Sequence, residues 1–179
     1  MKYEPDCDLA KVSMPTLTFM NSVYTLASYN ERHNHPMWEF TAGGEPIDQW
    51  NRLVTLIDRP EAKTMEEMDR LSQGIMEVYT THGGKVLKAQ TFQDTSGKPF
   101  NYMVAAFDEP QAHRFELNFV KIAMGPQHAY TAIYGVRITD PQDYVGKANK
   151  FLNEHSAEIG HALGEAKFPA LDTLPRKEF

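Results

Sequence analysis

PFNYMVAAFDEPQAHRFELNFVKIAMGPQHAYTAIYGVRIT, residues 99–139, holds three alternations in succession. Phe100, Tyr102, Val104 and Ala106 alternate down the first, Phe115, Leu117 and Phe119 down the second, and Tyr130, Ala132, Tyr134, Val136 and Ile138 down the third. A period of two over such lengths marks β-strands with one face on a core. The segments between them, Asp108-Glu-Pro-Gln and Gly125-Pro-Gln, are short turn sequences. Connections this short predict an antiparallel meander, because parallel neighbours need long crossovers.

Register follows from the turns. Setting Met124 opposite Ala129 brings Phe119 opposite Tyr134, Leu117 opposite Val136 and Phe115 opposite Ile138, with Glu116 meeting Arg137 and Val120 meeting Ile133 on the other face. A slip of one residue would mix charges with apolar groups on both faces, so burial enforces the pairing. Setting Asp108 opposite His113 in the same way aligns Val104 with Leu117 and Tyr102 with Phe119.

Working outward, Thr16 to Tyr29 reads as a strand with a bend near Asn21-Ser22, and Met37 to Thr41 as its hairpin partner. Gly43-Gly44 breaks the chain, Pro46 to Trp50 suits a single helical turn, and Arg52 to Ile57 reads as strand from its β-branched content. Thr64-Met-Glu-Glu is a capping box, followed by Met65, Met68, Leu71, Ile75, Met76 and Tyr79 at helical spacing, and Gly83-Gly84 ends that helix near residue 82. Lys85 to Asp94 is a further strand. A second helix is predicted over 141–163, with Asp140 as N-cap, Pro141 in its first turn and Gly146, Gly160 and Gly164 weakening it. Residues 1–14 read as an irregular lead-in and 169–179 as an irregular tail. No linker or repeat divides residues 1–179, so one domain is expected. The class is α+β: a single antiparallel sheet of six to seven strands, packed by two helices on its more apolar face.

The order of a hairpin, a helix, a four-strand antiparallel run and a closing helix resembles the PsbP-like fold, also found in small bacterial envelope proteins. Locally, Trp38-Glu-Phe-Thr-Ala-Gly-Gly-Glu-Pro-Ile-Asp-Gln-Trp-Asn-Arg-Leu-Val-Thr resembles a segment of uncharacterised bacterial proteins of that type, in which a strand, a Gly-Glu turn, a Trp and a Val-Thr strand follow one another. The resemblance implies a fold and a bias towards binding or accessory roles. It carries over no catalytic residue.

Composition narrows the function classes. The 179 residues are 41% hydrophobic and 23% charged, as in ordinary globular proteins, with a net charge of −6 and no basic cluster, which disfavours nucleic acid. The single cysteine, Cys7, allows no internal disulfide and has no cationic neighbour to activate it. No apolar run approaches the roughly 20 residues of a membrane span. Met1 to Leu9 lack an apolar signal core, which suits a cytoplasmic protein or the mature part of an exported one.

Chemistry-bearing motifs are sparse. His33 and His35 could share a metal on an extended segment, but no third ligand stands beside them other than Glu31 or Glu39, and a metal-free protein is expected. His155 and His161, six apart on a helix, point in different directions. Gly84-Lys85 leads into a strand rather than a helix, so it is no phosphate loop, and no Gly-x-Ser-x-Gly is present. No catalytic, cofactor-binding or metal-binding residue is assigned, and a non-enzymatic role is expected.

What remains is a sheet face. One face collects Phe100, Tyr102, Val104, Phe115, Leu117, Phe119, Tyr134 and Val136, for helices to cover. The other carries Val86, Lys88, Gln90 and Phe92, then Asn101, Met103, Phe107, Arg114, Glu116, Asn118, Val120, Thr131, Ile133 and Arg137. That mixture of Met, Phe, Arg, Glu and Asn belongs to docking surfaces. The expected working surface is therefore Met103, Phe107, Arg114, Glu116, Asn118 and Arg137, centred on Phe107, Met103 and Arg137, for a protein partner or a second copy. The alternatives are a carrier with an apolar pocket between helices and sheet, and an enzyme whose site cannot be assembled from sequence.

Overall fold

A computed structural model of the protein describes residues 14–32 and 34–177. Cys7, His33 and the lead-in before Met14 lie outside the described residues, so the expectations placed on them are not addressed by it. The chain forms one antiparallel sheet of eight strands in the order β1-β2-β3-β4-β8-β7-β6-β5. The strands are β1 Thr16–Phe19, β2 Ser22–Arg32, β3 His35–Ala42, β4 Arg52–Arg59, β5 Lys85–Gln93, β6 Pro99–Glu109, β7 Arg114–Met124 and β8 Ala129–Thr139. Helix α1, Met65–Thr81, precedes β5, and helix α2, Tyr144–Glu165, follows β8. The class is α+β, as expected, with more strands than the six to seven read from sequence.

The additional strand comes from a tight hairpin. Phe19 pairs with Ser22, and the two residues between them, Met20 and Asn21, both have positive φ, of 48° and 63°. Two such residues form the two-residue turn whose twist matches paired strands. Asn21 tolerates the left-handed region, whereas Met20 gives no turn signal, so the stretch reads as one bent strand from sequence.

The β7–β8 register is the expected one, from Met124↔Ala129 to Phe115↔Ile138. The β6–β7 register differs by two residues: Val104 faces Phe119 and Ala106 faces Leu117. Asp108 and Glu109 continue β6 instead of turning, Glu109 pairs with Arg114, and the connection is a 3-10 turn at Pro110–Ala112 with His113 left-handed at φ 47°. A shift of two preserves which side chains share a face, so the assignment of faces survives. On β5 it does not. A bulge between Val86 and Lys88 reverses the alternation, and Lys88, Gln90 and Phe92 point to the opposite side from Val86. Phe92 accordingly sits 6.0 Å from the Phe100 ring and 5.8 Å from that of Tyr102.

The two helices cover opposite faces, which corrects the expectation that both cover one. α2 lies over β7 and β8, burying Ala148, Ile159 and Leu163 against Phe100, Tyr102, Leu117, Phe119 and Tyr134. α1 lies over β5, β6 and β7 on the other side, where Met68 joins Met103, Val120 and Ile122. The reason is legible in the strands: Met103, Val120 and Ile122 alternate out of phase with the main core and are themselves at most 1% exposed. Both faces of the central strands are apolar and both need a cover.

Helix ends follow local chemistry. The Thr64 hydroxyl accepts from Glu67 N–H at 3.1 Å, and the Glu67 carboxylate accepts from Lys63 N–H at 3.4 Å. The α2 cap is Asp143, which accepts from Gly146 N–H at 2.9 Å, rather than Asp140. Asp140 instead takes the Gln142 and Asp143 N–H groups at 2.8 and 3.1 Å, a side-chain turn one step earlier. The tail beyond 169 is mostly irregular but docked: Leu174 is 6% exposed, and Trp38 Nε1 donates to Pro175 O at 2.7 Å. Among the described residues, no helix is long and apolar enough to cross a membrane.

Candidate functional site

The α1 face divides in two. α1 shields the half over β5–β7. On the other half, strands β2, β3, β4 and β8 present a row in which half-buried Ser28 lies opposite Glu39, Glu39 opposite the buried Thr55, and Thr55 opposite half-buried Ile133. The boundary between the halves is the Glu116–Arg137 pair on β7 and β8.

Arg137 is held from several sides. Its Nε lies 3.6 Å from Glu116 Oε1, its NH1 donates to Trp50 O at 3.2 Å, and its guanidinium carbon is 3.9 Å from the centre of the Trp50 ring. Such stacking, with the groups largely out of water, is a favourable cation–π geometry. Trp50 reaches this position because Gly135 has no side chain: a Cβ there would be 3.2 Å from the Trp50 ring and 3.3 Å from Asn118 Oδ1. Asn118 donates in turn to Glu116 Oε2 at 3.3 Å.

The segment between β3 and β4 positions Trp50. Gly43 and Gly44 turn the chain with φ of 59° and 72°. The Glu45 carboxylate then receives the Asn51 backbone N–H at 2.8 Å and its side-chain amide at 3.0 Å. Burial pushes the Glu45 carboxyl up, but these hydrogen bonds outweigh it and hold the group below its usual range. The stretch that carries the sequence resemblance, Trp38 to Thr55, is thus the device that lays an indole over Arg137.

Around this centre the titratable groups are perturbed. Burial raises the Glu39 carboxyl, Arg32 and a hydrogen bond from Ser28 oppose that, and the Glu116 carboxylate adds to it. Burial and then Glu116 raise the Tyr79 phenol. Burial lowers the Arg59 guanidinium, whose Nε donates to Thr131 Oγ1 at 3.1 Å.

The six expected surface residues separate. Met103, at 1% exposure beneath α1, and Asn118, at 8%, are interior and do not offer a docking surface. Phe107 packs on Tyr79 with ring centres 5.6 Å apart, and Gly84 makes room for it. Arg114 is at the far end of the strand, where its Nε donates to Glu109 at 3.0 Å. Glu116 and Arg137 come together as expected. Sequence reading missed Glu39, whose signal was its alternation between Trp38 and Phe40, and Trp50, whose contact with Arg137 spans 87 residues of chain.

The other motifs are placed as follows. His35 Nε2 lies 3.4 Å from Glu61, His128 bonds Asp58 at 2.5 Å, and His155 lies beside Glu154 and Glu158. Among the described residues no three of His, Cys, Asp and Glu converge on a common point. A cavity of about 300 Å³ lies between α2 and the sheet, walled by Met20, Tyr24, Tyr134, Phe151 and Ile159, with Arg52 and His155 among its polar groups. No family model matches the chain, and no curated protein matches it in sequence.

Proposed function

We propose that the protein is a non-enzymatic interaction protein and that the half of the α1 face over β2, β3, β4 and β8 is its docking surface, occupied by a second copy of the chain. The observation that carries this reading is the Glu39–Glu116–Arg137–Trp50 constellation at the edge of a helix-covered zone, its three charged groups half-buried over a buried indole. Beyond it, on β2, Val23 is 59% exposed and Arg32 is exposed. A surface with both signs of charge set among apolar groups is self-complementary under a two-fold axis, so that Arg32 of one copy can meet the Glu39–Glu116 carboxylates of the other. The order of elements supports the reading, since it resembles that of PsbP-like proteins, whose roles are mostly binding or accessory.

A photo-crosslinking residue in place of Met37, half-buried on β3 of this face, tests the proposal. It should join two copies of the chain, whereas the same group at the exposed Lys88 of β5 should not. Crosslinks from Lys88 and none from Met37 would contradict the surface assigned.

The 300 Å³ cavity favours a second reading, an apolar-ligand carrier, because aromatic and aliphatic walls face it from both α2 and the sheet. Filling it with Ile159→Trp would abolish uptake of a small apolar dye under this reading and leave crosslinking from Met37 unchanged.

A further inference from the structure

A second cavity, of about 390 Å³, lies on the α2 side away from the association surface. The turn 94–98 between β5 and β6, the start of β6, the end of β7, the start of β8 and the end of α2 enclose it. Lys121 lies within it, 4% exposed, at a position whose strand-mates on that face are Leu117, Phe119 and Ala123. A lysine in such a row carries a large desolvation cost. Burial lowers its pKa to about 8.

The hydrogen bonding around Lys121 is unbalanced. Its Nζ donates to Gly164 O at 3.2 Å, one of the three bonds an ammonium can make. Phe100 and Tyr130 present their rings 5.5 and 5.7 Å away. The carboxylates at the rim are engaged by the turn itself: both Glu165 oxygens accept from Thr95 at 2.7 Å, and Asp94 Oδ1 accepts from Ser96 and Lys98 N–H groups at 2.9 Å. Lys98 Nζ donates to Met124 O at 2.5 Å. Lys167 lines the cavity and makes no hydrogen bond or ion pair within the described residues. Donors are in surplus, positive charge exceeds negative among the lining groups, and the inner walls are aromatic.

We propose that this cavity binds a small organic carboxylate, whose anionic end meets the Lys121 ammonium and whose apolar body lies against Phe100 and Tyr130. A bound carboxylate would supply the acceptor that the buried ammonium lacks, and a charge-assisted bond in this setting is stronger than a neutral one. An alcohol of the same length would fill the apolar space without matching the charge.

The probe is sodium hexanoate, with hexan-1-ol as the neutral isostere, titrated into the full chain and followed by amide chemical shifts. Hexanoate should give saturable shifts confined to residues 94–100, 121–123, 130 and 164–167. Lys121→Met should weaken binding by about tenfold or more, the loss of one charge-assisted bond. Hexan-1-ol should bind the unmutated protein at least about tenfold more weakly than hexanoate. Absence of saturable shifts at millimolar hexanoate would overturn the proposal, as would equal binding by Lys121→Met. Equal binding of the alcohol would also overturn it, and needs no variant to fold.

Discussion

Lys121, buried, and Glu39, half-buried, have opposite consequences for pH dependence. Lys121 titrates near 8 instead of 10.5, so the folded chain binds fewer protons than the unfolded one between those values. Stability should therefore rise as pH increases through that window, and at neutral pH the buried charge costs on the order of 3 kcal/mol. Lys121→Met, similar in volume and needing no solvation, should raise the melting temperature at pH 7, with the gain shrinking towards pH 10; a lower melting temperature at pH 7 would refute this. Glu39 is raised above its ordinary 4.5, so the folded state holds its proton more tightly than the unfolded one. Its contribution is most favourable below the unfolded value and is lost as pH rises past the folded one. Glu39→Gln should stabilise the protein at pH 7 and make little difference at about pH 4, as a thermal melt at each pH would show. Neither effect could be read from sequence, because burial of Lys121 depends on α2 ending over it and burial of Glu39 depends on strands far along the chain.

At the scale of elements, two glycines that look alike in sequence have different tasks. Gly164 lets α2 rest on the sheet, since a Cβ there would lie 2.6 Å from the Phe100 ring. Gly74 in α1 would bring a Cβ within 4 Å of nothing. Gly164→Ala should destabilise by about 1–3 kcal/mol through overpacking, whereas Gly74→Ala should stabilise by about 0.5–1 kcal/mol through helix propensity; denaturant unfolding of both variants checks the pair. The elements themselves were largely legible. The Thr64 cap, the α1 stripe and the β7–β8 register follow from local pattern, because side-chain period and turn length fix them. Three of the misreadings share one cause, a backbone irregularity with a weak sequence signal: the Met20-Asn21 turn, the bulge between Val86 and Lys88, and the continuation of β6 through Asp108 and Glu109. The bulge and the turn change counts or faces, while the two-residue shift on β6 changes neither.

At the scale of the whole molecule, the sheet is covered by α2 on one side and only partly by α1 on the other. Sequence reading separated the two faces of β6, β7 and β8 but placed both helices on one of them, since nothing local to Met103 tells which helix lies above it. The constellation that marks the boundary joins β3, β7, β8 and the β3–β4 connection, and only the assembled sheet brings Trp50 to Arg137. The half beyond that boundary is where a second copy should dock, and disrupting it should leave the fold intact if Arg32, exposed at the end of β2, is reversed in charge. Arg137 would be a poor choice, because its stack on Trp50 and its bond to the Trp50 carbonyl are part of the fold. The most direct measurement is sedimentation velocity of the unmutated chain and of Arg32→Glu over a range of concentrations. The account predicts a concentration-dependent dimer for the first and a folded monomer for the second. An unmutated chain that stays monomeric throughout, or an Arg32→Glu variant that dimerises as strongly, would contradict it.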